Sequence, residues 1–594
     1  MIAQLVNNTF QVRQKCDVEL RITCSEPLGQ HQAIEVQFPN SWLMISGPSF
    51  TRKLQTADPG GEHFVGVEAH GAKFDVQVRP RHLNYHQGAC RHGQVIVATL
   101  TGGEIQPGAT VTLRYANTFA PYIAERETVH VSVAGQPAEA MPEIVVLPGL
   151  AVRTRVLAPS CVRVGESFEI LVVSLDEFDN CSGSRFTGQC LRRGDGVIVV
   201  DGLDFTGSIR VAAKVDSPGV FRFSMGGVTS NAVHVGDGPR LYWGDLHIHT
   251  KLSSDGMGAD PYGYARDVSA LDFAATADHR ESLGEEGYRR TVQWIEQANR
   301  PGKFAAIPAD ERNPAAFGGH HNLYFRSVEG FLAFRALGSD AQPLPDDPGQ
   351  AMFVPHHTGI SWGALGKGNA AVDMGACDDG GMRPVVEIYS HHGQSELYSP
   401  QHILAYGLNR MRNPERRSNS YTPGAFYAQD YWMAGRRLGV IGSSDEHSGQ
   451  GGRRHGGLAA VWADELTREG VFDAIRNRRC YATTGERILV EFSVGGATMG
   501  QAISRPKGTK LPIRLAVWGT DLLLIVEILR FRRGIDRAFV PIVSVPPRPE
   551  STDFACELDD ELTGETIYYA RITQGPLDLP GMAWTSPIWI DTSK

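Results

Sequence analysis

Along the first 150 residues, apolar and polar positions alternate in short runs, AIEVQF, FDVQVRP, QVIVATL, VTLRYA and VHVSVAG, separated by Gly, Pro and Asn. A period of two puts every second side chain on one face, which predicts an all-β domain over 1–150. After the linker LPGLAV the same rhythm resumes in CVRVGESFEILVVSLDEFDN and GVFRFSMGGVTSNAVHV, and a block of about 85 residues, 151–236, fits a second β-sandwich. From 237 the period changes. In EEGYRRTVQWIEQAN, Tyr288, Val292, Ile295 and Ala298 recur on one helical face, and in LTREGVFDAIRNRR Thr467 is placed to cap a helix carrying Val471, Phe472 and Ile475. Apolar runs alternating with such helices predict an α/β barrel over 237–485. After YATTG the β pattern returns in ILVEFSV, PIRLAVW, LLLIVEIL and TIYYARI, predicting a C-terminal β domain over 486–594.

With 594 residues the chain exceeds a single core, as domains run to about 100–200 residues each. Its 42% hydrophobic and 21% charged residues match an ordinary globular protein. A net charge of −9 gives no basic footprint for nucleic acid. The N-terminal residues lack a basic segment leading into an apolar run, and no apolar run reaches the roughly 18 residues of a membrane span. Nine cysteines stand singly, with no paired spacing, as free thiols would in a reducing compartment, although Cys181 and Cys190 are near enough in sequence to pair. The expectation is a cytoplasmic protein with no nucleic-acid or membrane partner.

Chemistry is concentrated where apolar runs of the central region end. LYWGDLHIH, LDFAATADH, KFAAIPADE, AMFVPHH, PVVEIYSHH and LGVIGSSDEH each close on a metal-ligand type, and GHHNLYF opens on one. In an α/β barrel these ends converge on one rim. His247 and His249, two apart on an extended segment, project to the same side. Asp255 follows in a Ser-Ser-Asp-Gly loop, Asp278 and His279 close the next run, Glu311 the third, and Asp445 and His447 repeat the two-residue spacing. Arg280 and Arg312 directly follow His279 and Glu311, and Arg453 and Arg454 lie in HSGQGGRRHGG. A guanidinium clamps phosphate or carboxylate well, though each could equally form a rim salt bridge. His391 and His392 are candidates to protonate a leaving group or to line the pocket, and Glu387 to orient a metal-bound histidine.

The segments DLHIHTKLSSDG, TADH, Glu311, His320, His356 and SDEH resemble the motifs of the PHP (polymerase and histidinol phosphatase) superfamily. GHHNLYF, VPHHTG, VVEIYSHHGQSE and LTREGVFDAIRNRRCYATTGERI are similar to a PHP-like branch described only as a domain of unknown function, family 3604. The resemblance spans about 240–490. It implies a distorted (β/α)7 barrel, here flanked by N-terminal β-sandwich domains, the second with a stretch resembling bacterial immunoglobulin-like repeats, and a C-terminal β domain. It also implies two or three divalent ions (Mn, Zn or Fe), the first held by His247, His249, Glu311 and Asp445. Glu311, His320 and His356 would hold a second, and Asp255, His279 and His447 a third. Asp255 stands where many members place His, and the doublets His320/His321 and His356/His357 each leave one histidine unassigned. The implied activity is phosphomono- or phosphodiester hydrolysis by metal-bound hydroxide on a small-molecule substrate. From their positions in this sequence, Glu311, Asp445 and His392 are the catalytic candidates and Arg280, Arg312 and Arg453 the substrate-binding ones. A C–N or C–C bond hydrolase of a small carboxylated substrate and a non-enzymatic binding protein are the alternatives. Specificity is expected in loops 313–319, 361–383 and 393–424.

Overall fold

In the strand Lys15–Thr23, Val18, Leu20 and Ile22 are buried at every second position, as the alternation predicts. This strand sits between Ile2–Leu5 and Thr110–Phe119 in a four-stranded sheet. A five-stranded sheet runs in the order Gln136–Pro137, His130–Val133, Ala33–Gln37, Gln94–Gly102 and Lys73–Pro80. One core, including Val36, Trp42, Leu113 and Tyr115, joins residues of both sheets. A second set of short sheets built from strands between Arg153 and Val235 encloses Ile170, Val172, Leu191, Val211 and Phe223. Burying each such aliphatic side chain contributes roughly 1.5–3 kcal/mol. Cys181 is free, as is Cys190. The computed structural model describes residues 1–43, 54–80, 94–253, 255–312, 319–336, 349–361, 381–405, 420–421, 423–546 and 550–593. Cys90, Cys377 and most of the expected specificity loops (313–318, 362–380, 406–419 and 422) lie outside the described residues.

The remainder is organised by one eleven-stranded sheet. Its path runs Ala305–Ala306, Phe273–Thr276, Arg240–Ile248, Leu458–Ala463, Cys480–Thr483, Gly581–Thr585, Thr566–Gln574, Leu523–Arg532 and Val540–Val545. All four residues of Phe273–Thr276 are buried, as befits a strand parallel to both neighbours and covered on both faces. The hydrogen-bond ladder crosses from the central region into the C-terminal strands at Tyr481↔Thr585. That junction is tied further by Glu396, fully buried, which accepts hydrogen bonds from Tyr569 (2.5 Å), Arg571 (2.8 Å) and the Trp584 indole (2.8 Å).

Both helices read from periodicity are present. Glu285–Ala298 buries Tyr288, Ile295 and Ala298, and Arg468–Arg476 opens at Thr467, whose side chain accepts from the Gly470 amide. The chain is nonetheless mostly β, and its described residues do not display the full strand–helix alternation of a (β/α)7 barrel, having five α-helices between 237 and 485. The strands Ala309–Arg312, His321–Phe325 and Ala351–Pro355 pair antiparallel instead. Antiparallel neighbours need no crossover helix, so this stretch can pair without one. No described helix is long and apolar enough to cross a membrane.

Candidate metal centre

The ligand-type residues are brought together by a few buried carboxylates. Asp245 Oδ1 accepts from the amides of His247 (3.2 Å) and Ser444 (2.9 Å), and its Oδ2 from Gly452 (2.8 Å). This fastens the strand Arg240–Ile248 to the segment carrying Asp445 and His447. A parallel bridge between Ile248 and Glu446 completes the join, and another sets His279 beside Glu311. Asp278 turns away to accept from the Thr250 amide (2.6 Å) and hydroxyl (2.8 Å), which gives it a backbone-fixing role. Asp445 itself adopts φ +55° and His357 φ +36°. Such left-handed conformations cost about 1–3 kcal/mol at non-glycine positions and gather at functional sites.

Glu311 lies at the middle of the assembly. Its Oε2 is 3.1 Å from His249 Nε2, 3.3 Å from His279 Nδ1 and 3.7 Å from His247 Nε2. Its Oε1 is 3.2 Å from His356 Nε2 and 3.3 Å from His320 Nδ1. Asp445 divides in the same way, Oδ1 facing His247 and His249 (both 3.4 Å) and Oδ2 facing His392 Nε2 (3.0 Å). Asp255 Oδ1 is 3.3 Å from His279 Nε2 and 3.6 Å from His447 Nε2. Groups whose ligand atoms all lie within 4.8 Å of one another include His249/Asp255/His279/His447, His247/His249/Asp445, His247/Glu311/His356, His320/His356/His357 and His357/His392/Asp445. These spacings and donor types suit divalent cations.

The electrostatics agree with that fit. Burial opposes ionisation of Glu311, yet His279 and contacts with His247, His249 and His320 hold its carboxyl well below the usual range. Asp445 is likewise held low against burial, by His247 and His392. Against the same burial, Asp445 and Glu311 keep His249 up at about 9, and Glu311 and Asp255 keep His279 at about 10. The two central carboxylates demand positive charge, which protons on these imidazoles or divalent cations can supply. His356 is different: burial, then His247, pushes it down to about 3, so it is a neutral imidazole facing a carboxylate. Its Nδ1 is buried with no hydrogen-bond partner. A cation on Nε2 is what such a ring fits.

Every expected ligand position therefore comes into this assembly, and the first member of the His320/His321 doublet is the one beside Glu311. His321 instead donates from Nδ1 to Gly319 O (3.0 Å) and accepts at Nε2 from Arg383 Nε (3.0 Å). His357, left unassigned by sequence, stands 5.2 Å ring to ring from His392; the only signal for it was the doublet. The arginines diverge. Arg280 and Arg312 both lie over the Phe334 ring, 5.3 and 4.6 Å from its centroid, and Arg280 also pairs with the buried Asp310 (3.5 Å). Arg453 instead pairs with Asp179 (3.4 Å) and Glu446 (3.6 Å) and donates to Phe178 O (3.1 Å), a contact with the second β unit.

A family described as a protein of unknown function (DUF3604) matches residues 449–517. Uncharacterized proteins of Chlamydia muridarum and Chlamydia pneumoniae are 23% and 24% identical, each match covering 74% of this chain and 73% or 74% of the relative. A solved two-domain protein from Bacteroides vulgatus, containing a predicted PHP-like metal-dependent phosphoesterase, is 16% identical with a TM-score of 0.29, covering 59% of this chain and 96% of its own.

Proposed function

We propose that the chain is a metal-dependent hydrolase of phosphate esters, working at a di- or trinuclear centre carried by a distorted barrel of the PHP kind. The observation that carries this reading is the division of Glu311 between two groups of histidines, one on each carboxylate oxygen. A carboxylate so placed fixes the spacing of two cation positions, the arrangement used to displace an ester oxygen in line. Divalent ions bound there would supply Lewis acidity and a nucleophile at neutral pH. The protein's own contribution is orientation. His247, His249 and Asp445 would hold one position, His320 and His356 a second across Glu311, and Asp255, His279 and His447 a third. His392, hydrogen-bonded to Asp445 Oδ2 at 3.0 Å, is set to hold or pass a proton at the leaving oxygen. Arg280 and Arg312, both near the Phe334 ring, would supply cationic groups for a phosphate.

The test is elemental analysis of the purified full-length chain followed by assay of manganese- and zinc-loaded protein on generic aryl phosphate mono- and diesters. Two or three ions per chain and metal-dependent release of the alcohol are expected. A metal-loaded protein inert to phosphate esters but active on amides of carboxylated substrates would replace the phosphoesterase reading.

A further inference from the structure

Asp255 lies in the loop that follows the strand Arg240–Ile248, outside any hydrogen-bonded strand. Residues 250–253 and 255–258 lie between the ligand cluster and the N-terminal β unit. From that unit Asn40, only 2% exposed, donates through Nδ2 to two carbonyl oxygens of the loop, Lys251 O at 3.2 Å and Gly256 O at 3.0 Å. Glu127, from the same unit and buried, meets Lys251 Nζ at 2.5 Å. Met257 is fully buried and packs with Ile123. The loop's other side is fastened to the last ligand segment, where the Met257 amide donates to His447 O at 2.9 Å. Gly258, at φ +90°, comes so close to Ser448 that an added Cβ would stand 2.3 Å from its carbonyl oxygen. Held from both sides, the loop presents Asp255 to His279 and His447.

We propose that Asn40 and the Glu127–Lys251 pair are positioning residues for the single cation position formed by Asp255, His279 and His447, so that its occupancy depends on the N-terminal β unit. This rests on the metal-centre reading above. An aspartate has one methylene between backbone and carboxylate, so its reach is decided by where the backbone is held. For His247 a strand ladder does that work, whereas for Asp255 the two Asn40 hydrogen bonds and the Lys251 ion pair do. Groups that orient ligands in this way typically change metal affinity by about 10–100-fold when removed.

The experiment is manganese binding by the full-length chain, read as ions per chain and affinity for each, with circular dichroism to check folding. Asn40→Asp keeps the side-chain shape and loses the donor. It is expected to weaken one ion by about 10–100-fold while the others bind as in the native chain. Asp255→Ala should lose the same ion, and adding Asn40→Asp to it should cost nothing further, because both act on one position. Should Asn40→Asp fail to fold, Glu127→Gln, which removes the charge facing Lys251, is read in the same way. Native stoichiometry and affinities in a folded Asn40→Asp chain, or a loss additive with that of Asp255→Ala, would overturn the proposal. A native chain that takes up no divalent ion would overturn the metal-centre reading itself, an outcome distinct from a loss confined to the variants.

Discussion

His247 Nδ1 lies 3.0 Å from Glu387 Oε2, and both side chains are fully buried. The contact fixes the ring so that Nε2 faces Glu311 and Asp445, and it raises the basicity of the nitrogen that would bind a cation. Glu387→Ala is expected to lower the affinity of the ion at His247 and His249 by about 10–100-fold, measured by metal titration of the folded variant. Unchanged affinity would remove Glu387 from the site.

Glu311 faces histidines on both of its oxygens. Glu311→Gln keeps the shape but removes the charge that two cation positions share. Turnover on a phosphate ester should fall by at least about 100-fold while the melting temperature changes little, an effect of the size that mispositioning a reacting group produces. Near-native turnover at full metal occupancy would rule out the two-ion mechanism.

Metal loading should depend on pH in a defined direction. The folded metal-free protein holds His249 up at about 9 and His279 at about 10. Below those values the imidazoles carry protons that a cation must displace, so affinity weakens as pH falls from about 9 to about 7 and protons are released on binding. The linkage to folding has the opposite dependence. A histidine whose folded pKa is raised contributes stability that is complete below its unfolded value, about 6.5, and is lost as pH rises through about 9 and 10. Calorimetric titration in buffers of different ionisation enthalpy measures the proton release. Thermal melts of the metal-free chain from neutral pH to about 10 measure the loss of stability.

The arginines should separate by kinetics. Arg312 lies over Phe334 beside the cluster, whereas Arg453 is engaged by Asp179 and Glu446. Arg312→Ala is expected to raise KM for an anionic substrate with a smaller change in kcat, as loss of uniform binding does. Arg453→Ala should instead lower the melting temperature and leave KM near native, because it unpairs carboxylates between the second β unit and the loop after His447. Equal effects of both on KM would assign Arg453 to the substrate as well.

The convergence of the candidate ligands was largely legible in the sequence because their chemistry sits next to its pattern. His247, His249, His279, Glu311, His356, Asp445 and His447 fall where apolar runs stop, and a strand end is both a break in hydrophobicity and the place where a side chain meets a shared rim. The helices Glu285–Ala298 and Arg468–Arg476 were legible for the same reason, since a period near 3.6 is recorded locally. Pairing is not recorded that way. Whether Ala309–Arg312 pairs antiparallel with His321–Phe325 or joins a parallel barrel is decided by long-range hydrogen bonds, and the same apolar run serves either. The crossing of the central ladder into Gly581–Thr585 has no local signature, nor does the attachment of Arg453 to Asp179, which is 274 residues away. Asn40 shows the limit most plainly. In sequence it is one polar residue shortly before a tryptophan, and only the packing of the N-terminal unit brings it to the loop of Asp255, 211 residues away at its Lys251 contact.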